Sequence, residues 1–193
     1  MAKKVLIIDS GVEQGMAHGT LNHHYAALAQ DTLTAMGCEV TLTRVDADYD
    51  VNAEAQKIKD ADVIILQFPG FWMGVPWQLK KYMDCVFVCS GISNGDGRHR
   101  ADPSSRYGSG GILTDKQYMM CSTWNAPAYA FNDADGFFGG KGIDGHMTQV
   151  HRTMAFLGIK PLPSFTAYDI YKNPTHEQDF ARFKEHLQKY IQA

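Results

Sequence analysis

Residues 10–21 carry the residue types that bind a phosphate group. They follow a short apolar run and precede a helical pattern, so backbone N–H groups and the positive end of that helix would face one ligand. Gly19 gives close backbone access, Thr20 a hydroxyl and Asn22 a helix cap. The glycines of this stretch are four residues apart, so the G-x-G-x-x-G pattern of a Rossmann domain is absent. A capped helix start without a ligand is an equal alternative.

Aromatic side chains are concentrated in residues 69–77, directly after an apolar strand pattern. A flat cofactor needs an apolar wall against its ring face and backbone donors and acceptors along its polar edge. Phe71, Trp72 and Met73 could supply the wall, and the backbone of Pro69 and Gly70 the polar contacts. Aromatic residues in such a position more often cover the end of a core, and this alternative stays open.

A third candidate, residues 122–127, follows a later strand pattern and surrounds Trp124 with polar residues. Thr123, Asn125 and the backbone of Ala126 could form hydrogen bonds to the edge of a ring. Alone, this composition is typical of a turn. Two tryptophan-bearing loops after adjacent strands, together with a loop suited to phosphate, predict one shared cofactor site.

Strand and helix patterns alternate along the chain and must position these loops. Apolar runs predict strands at 5–8, 39–45, 63–66, 118–121 and 164–168. Helical spacing predicts helices at 22–36, 54–59, 147–157 and 180–191, and one that starts at Pro76. Long polar loops are predicted at 90–111 and 123–146. The alternation predicts an α/β fold: one domain over residues 1–193, with a five-stranded parallel sheet and helices on both faces.

Composition and charge narrow the classes of function. The 193 residues are 45% hydrophobic and 20% charged with a formal net charge of −3, which is typical of a globular protein and offers no basic field for nucleic acid. Apolar runs are too short for membrane insertion, and the run at 5–8 is too short for a signal peptide. The four cysteines form no C-x-x-C pair. We therefore expect a cytoplasmic protein with reduced thiols.

Metal and hydrolase chemistry receive little support from the remaining candidates. His18, His23 and His24 do not form an H-E-x-x-H motif, so no metal site is predicted. Ser109 lies in a glycine-rich stretch, but it lacks the G-x-S-x-G pattern, and a strand rather than a helix follows it.

Longer motifs identify a family. They are Gln67-Phe68-Pro69-Gly70-Phe71-Trp72-Met73-Gly74-Val75-Pro76-Trp77, Asp96-Gly97-Arg98, Asp102-Pro103-Ser104, Arg106-Tyr107-Gly108-Ser109-Gly110-Gly111, Thr123-Trp124-Asn125-Ala126-Pro127, and Phe156-Leu157-Gly158 with Pro161-Leu162-Pro163. With these motifs the chain resembles the modulator of drug activity B family of bacterial NADPH:quinone reductases and, more distantly, the mammalian DT-diaphorases. The similarity extends essentially end to end.

The resemblance implies a flavodoxin-like homodimer that binds FAD, with FMN as the less favoured flavin. NADPH and a quinone would use one pocket above the flavin in turn, which implies ping-pong kinetics and two-electron reduction, with a role in oxidative stress. A flavodoxin-type electron carrier and a regulatory subunit of a membrane ion-efflux system are the alternatives. A carrier would need an acidic docking face, which the small net charge does not support.

The resemblance also implies roles for single residues. The FAD phosphates and adenine would lie on Ala17, His18, Gly19, Thr20, Leu21, Asn22, His23 and His24. The isoalloxazine would contact Pro69, Gly70, Phe71 and Trp72 and bond along its edge to Thr123, Trp124, Asn125 and Ala126, and Tyr107 would reach the cofactor. Among these, Phe71, Trp72 and Trp124 would form the walls around the ring. Asp144 stands where DT-diaphorase has a proton-relay histidine, so it is the candidate general acid.

One segment departs from the family pattern. Residues 9–16, Asp-Ser-Gly-Val-Glu-Gln-Gly-Met, replace the basic stretch that its relatives carry there. The individual phosphate contacts of the first loop therefore do not carry over from the resemblance.

Overall fold

The computed structural model describes residues 2–192. Within them the chain forms eight strands: β1 (Lys4–Asp9), β2 (Glu13–Gln14), β3 (Ala17–His18), β4 (Glu39–Arg44), β5 (Val63–Pro69), β6 (Gln117–Thr123), β7 (Lys160–Pro161) and β8 (Phe165–Ala167). The helices in the same range are α1 (Thr20–Ala35), α2 (Val51–Asp60), α3 (Trp77–Val86), α4 (Ala128–Asn132), α5 (Gly142–His146), α6 (Thr148–Leu157) and α7 (His176–Tyr190). No helix of this part of the chain is both long and apolar enough to cross a membrane.

The main sheet is parallel and has the order β4-β1-β5-β6-β7, and β8 also pairs with β6. β7 pairs with the start of β6 and β8 with its end, so the two short strands share the fifth position. The predicted flavodoxin-like α/β fold is confirmed. The chain leaves β1 toward one edge of the sheet and continues from β5 toward the other, so the order reverses between β1 and β5, where a doubly wound sheet forms its cleft.

Helices cover both faces of the sheet, which explains why the central strands are continuous apolar runs. All seven residues of β5 are buried. Its side chains alternate between two core clusters: Ile64 and Leu66 pack with α2, α3 and α6, whereas Val63 and Ile65 pack with α1 and α7. Burial on both faces removes the polar alternation of a half-exposed strand.

Several boundaries differ from the sequence prediction. The helix predicted from residue 22 begins at Thr20, directly after Gly19, whose φ of 72° places it in the left-handed region. The loop predicted at 123–146 contains two short helices, α4 and α5, with too few turns to produce an apolar periodicity. The predicted loop at 90–111 is confirmed.

A buried carboxylate joins α2 to the sheet and to α3. Glu54 is 2% exposed. It accepts hydrogen bonds from Thr43 Oγ1 (2.9 Å), Tyr82 OH (3.0 Å) and Lys57 Nζ (2.6 Å). Burial, followed by the charge of Glu54, raises the pKa of Tyr82, so its hydroxyl remains a donor at neutral pH.

Removal of this carboxylate should destabilise the fold strongly. In Glu54→Ala, two buried donors and a lysine lose their shared acceptor, so we expect the free energy of unfolding to fall by about 3–5 kcal/mol. Urea denaturation followed by circular dichroism measures this loss. Glu185→Ala, at an exposed position of α7, is the matched control and should change stability by less than about 0.5 kcal/mol. Equal stabilities of the two variants would contradict the assignment.

Candidate functional site

A cleft of about 320 Å³ opens at the carboxyl ends of β1, β5 and β6. All three loops singled out in the sequence contribute to it. Its lining consists of Met16, Ala17, His18, Gly19, Thr20, Leu21, Asn22, Pro69, Gly70, Phe71, Thr123, Asn125, Ile170, Tyr171 and His176. The strand order reverses at this point, so the cleft lies where a parallel sheet of this kind binds its ligand.

The amino end of α1 forms one side of the cleft. Gly19 caps the helix through its backbone alone, and the first turn of α1 contains no acidic residue. The first N–H groups of a helix have no intrahelical acceptor, and here no side chain accepts from them at the cap. This end of the helix therefore suits an anionic group such as a phosphate.

Beneath this helix end, a buried polar network joins α1 to the two central strands. Asn22 Nδ2 donates to Thr123 Oγ1 at 3.0 Å, and Gln67 Nε2 donates to Asn22 Oδ1 at 2.8 Å. Gln67 is 1% exposed, and its Oε1 is buried without a hydrogen-bond partner in the protein. The network fixes the start of α1 relative to β5 and β6.

A tight hairpin follows β5 at the mouth of the cleft. Phe71 and Gly74 exchange two backbone hydrogen bonds, of 2.9 and 3.0 Å. The two residues between them, Trp72 and Met73, both have positive φ, 45° and 66°. Residues other than glycine and asparagine are strained in this left-handed conformation, which costs on the order of 1–3 kcal/mol per residue. Trp72 is 96% exposed, so the hairpin presents its indole to solvent.

Gly70 and Trp124 form the wall of the cleft together. A Cβ atom on Gly70 would lie 2.4 Å from Cδ2 and Cε3 of the Trp124 indole. Trp124 is 4% exposed, donates from Nε1 to Ser122 Oγ at 3.0 Å, and packs edge-on against the ring of Phe131. The indole thus supports the backbone of Gly70 from behind, and Gly70 rather than Trp124 lines the cleft.

The structure brings together eleven of the residues that the sequence assigned to cofactor binding. They are Ala17, His18, Gly19, Thr20, Leu21, Asn22, Pro69, Gly70, Phe71, Thr123 and Asn125. The side-chain amide of Asn22 is already used in part by the buried network. Their roles toward a cofactor stay predictions.

Other assigned residues lie outside the lining of the cleft. His23 faces Asp9, His24 packs on Phe180 with ring centroids 4.5 Å apart, and Ala126 packs against the core. Trp72 points to solvent and Trp124 into the core, so of the three predicted walls only Phe71 lines the cleft.

Tyr107 lines a different cavity, a groove of about 640 Å³ between α3 and α6. Its ring lies 5.6 Å from that of Phe156, and the guanidinium of Arg98 lies 5.5 Å from its centre. The groove and the cleft share no lining residue. Within one chain, Tyr107 therefore does not contribute to the cleft.

Asp144 also lies apart from the cleft. His151 Nε2 bonds to Asp144 Oδ1 at 3.2 Å, and His151 Nδ1 bonds to the hydroxyl of Tyr118. The bond from His151 lowers the pKa of Asp144, so this carboxyl is ionised at neutral pH and is a poor proton donor. Burial raises the pKa of Tyr118 to about 12. The geometry gives no support to the general-acid role predicted for Asp144.

Sequence reasoning did not assign Met16, Ile170, Tyr171 or His176 to the site, although all four line the cleft. Ile170, Tyr171 and His176 follow β8, whose carboxyl end lies at the same edge of the sheet as those of β5 and β6. The loop after a parallel strand lies at the ligand-binding edge of the sheet, and this rule therefore pointed to the loop after the fifth strand as well.

Comparison with known proteins agrees with this architecture. Residues 3–191 match the model of a protein family described as flavodoxin-like fold. The chain is 42% identical over 187 residues to the NADPH:quinone oxidoreductase MdaB of Haemophilus influenzae, covering 96% of this chain and 97% of that protein. A crystal structure of a proposed quinone reductase from Klebsiella pneumoniae superposes with a TM-score of 0.79 at 21% identity, over 98% of this chain and 85% of that one. The general stress protein 14 of Treponema denticola in complex with FMN has a TM-score of 0.66 at 18% identity, over 97% and 96%.

Proposed function

Since this chain belongs to the family of flavodoxin-like fold proteins, we propose that it is an NAD(P)H:quinone oxidoreductase that works through a bound flavin. The observation that carries the proposal is the cleft, where a helix start suited to phosphate meets an aromatic residue and hydrogen-bonding groups. The quinone reductase of Haemophilus influenzae, which aligns over nearly the whole chain, supports the choice of reaction.

The residues present fit a flavin. The start of α1 suits the phosphate, the ring of Phe71 offers an apolar surface, and Asn125 and the backbone of Gly70 offer polar contacts to a ring edge. A bound flavin supplies hydride transfer from the nicotinamide to the quinone. We propose FAD, as the family resemblance implies. FMN, the ligand of the Treponema protein, is the other flavin to be distinguished, by mass spectrometry of the released cofactor.

The protein itself would act by positioning and by electrostatics. Phe71 and Gly70, backed by Trp124, hold a planar surface in place. Fixed hydrogen-bond donors at the edge of a ring stabilise negative charge that develops there during reduction. Flat acceptors such as quinones can enter an open cleft bounded by an aromatic hairpin. We propose NADPH as the donor, as in the name of the Haemophilus relative.

Steady-state kinetics test the use of one cleft by two substrates. If NADPH and quinone occupy it in turn, double-reciprocal plots at several fixed quinone concentrations should be parallel lines. The purified protein should also show the visible absorption of an oxidised flavin, which NADPH bleaches in the absence of quinone. Intersecting lines would contradict alternating occupancy, and a well-folded protein that stays colourless after reconstitution with FAD or FMN would contradict the function itself.

We further propose that the chain works as a homodimer in the cytoplasm. The groove that contains Tyr107 supports the homodimer, because apolar side chains line it, and one of them, Val88, is largely exposed. The others include Met83, Phe87 and Phe156. A second copy seated there could bring Tyr107 toward the partner's cofactor, and sedimentation velocity measures the state directly. Four free cysteines suit a reducing compartment. Two-electron reduction of quinones there would limit oxidative stress.

A further inference from the structure

A series of hydrogen-bonded polar side chains lies behind the loop between β1 and α1. His23 Nδ1 lies 2.6 Å from Asp9 Oδ2, and His23 Nε2 lies 2.9 Å from a terminal nitrogen of Arg44. Arg44 is also held by two hydrogen bonds to Asp46, of 3.0 and 2.7 Å. These hydrogen bonds thus connect the ends of β1 and β4 through one histidine of α1.

These contacts fix the tautomer of His23. A guanidinium can only donate hydrogen bonds, so Nε2 must present its lone pair to Arg44. The single ring proton is then on Nδ1, which donates to the buried carboxylate of Asp9. The orientation of the His23 ring is therefore set from both sides.

His23 also lies where the two ends of the loop meet. A Cβ atom on Gly11 would lie 2.8 Å from His23 Nδ1, and one on Gly19 would lie 3.0 Å from His23 Nε2. The second oxygen of Asp9, Oδ1, accepts from the backbone N–H of Gly11 at 2.8 Å. One carboxylate therefore holds both the first turn of the loop and the ring against which the loop closes.

We propose that His23 is a positioning residue. Together with Asp9 and Arg44, it holds the backbone of residues 11–19 in the conformation that lines the cleft. The proposal rests on the proposed function, because the purpose of this arrangement would be to let residues 17–21 bind the flavin phosphate. His23 itself does not line the cleft, so its effect passes through the loop.

Nuclear magnetic resonance of the free protein tests the tautomer without a cofactor. With ¹⁵N-labelled histidine, His23 should show a protonated Nδ1 and an unprotonated Nε2 at neutral pH. Arg44→Gln alone should keep this preference, because Asp9 still accepts from Nδ1, whereas Asp9→Asn combined with Arg44→Gln should remove it, because both amides can donate or accept. Exchange between both tautomers in the unsubstituted protein would overturn the proposal.

Flavin affinity tests the positioning. His23→Leu should weaken flavin binding by about tenfold, as expected for loss of a charge-assisted hydrogen bond. His23→Asn, which keeps a donor toward Asp9, should recover most of the affinity. The exposed His99→Asn is the control and should remain within about twofold.

The outcomes separate the two proposals. If His23→Leu binds flavin as tightly as the unsubstituted protein, the positioning role is wrong and the proposed function stands. If His23→Asn is as weak as His23→Leu, the bond to Asp9 is not what positions the loop, which also overturns the role. If the unsubstituted protein binds no flavin, the proposed function fails, while the tautomer measurement still reports on His23.

Discussion

Replacing Gly70 by alanine is expected to lower kcat/KM with NADPH and quinone by roughly 10²-fold, the scale associated with a displacement of about 1 Å at a reacting centre. The new methyl group would lie 2.4 Å from two carbon atoms of the Trp124 indole. Trp124 is packed against Phe131 and His146 and cannot withdraw freely. The backbone at Gly70 must then move into the cleft, and such overpacking costs about 1–3 kcal/mol.

The same loop provides a matched control. In Gly74→Ala the added methyl group would lie no closer than 3.9 Å to its neighbours, so activity should stay within about twofold. Substitution of the obstructing ring should compensate, so Gly70→Ala combined with Trp124→Leu should retain flavin better than Gly70→Ala alone. Gly70→Ala with full activity and unchanged flavin content would show that the contact between Gly70 and the indole does not shape the site.

Asn22→Leu is expected to lower the free energy of unfolding by about 2–6 kcal/mol, since two buried groups lose a partner at about 1–3 kcal/mol each. Gln67 would be left with neither end of its amide bonded to another side chain, because its Oε1 already lacks a partner. Thr123 would lose the hydrogen bond from Asn22 Nδ2. The start of α1 would then be less firmly held against β5 and β6.

Urea denaturation measures the loss, and Asn52→Leu, at an exposed position of α2, controls for the substitution itself. Combining Asn22→Leu with Gln67→Met should cost less than the sum of the single variants, because replacing both partners by apolar groups removes the unpaired amide. Strict additivity would mean that the two side chains do not interact in solution.

The sequence predicted the sheet well for a physical reason. The central strands are buried on both faces, so they appear as continuous β-branched and aliphatic runs that no amphipathic helix would carry. The fifth position was predicted less well, because β7 has only two residues and includes Pro161. The short helices α4 and α5 have five residues each, too few for a periodic signal. The resemblance to the quinone reductases is confirmed.

The site was predictable in its location and less so in its side-chain directions. Parallel strands end at one edge, so the loops after β1, β5 and β6 had to meet there. Nothing in a loop sequence states which way a side chain points, and Trp124 turns inward because Gly70 leaves room for its indole. The position of Tyr107 depends on the path of the whole segment between α3 and β6, which local patterns do not encode.

The division of the fifth strand position also bears on how the molecule behaves at high concentration. An edge strand with a long row of unpaired N–H groups can pair with the edge strand of another molecule and start fibril formation. Here Pro161 and Pro163 lack N–H groups, and the pairing with β6 is interrupted between them and Phe165. A neighbouring copy meets no continuous ladder on this side, which protects the protein against intermolecular strand exchange in a crowded cell.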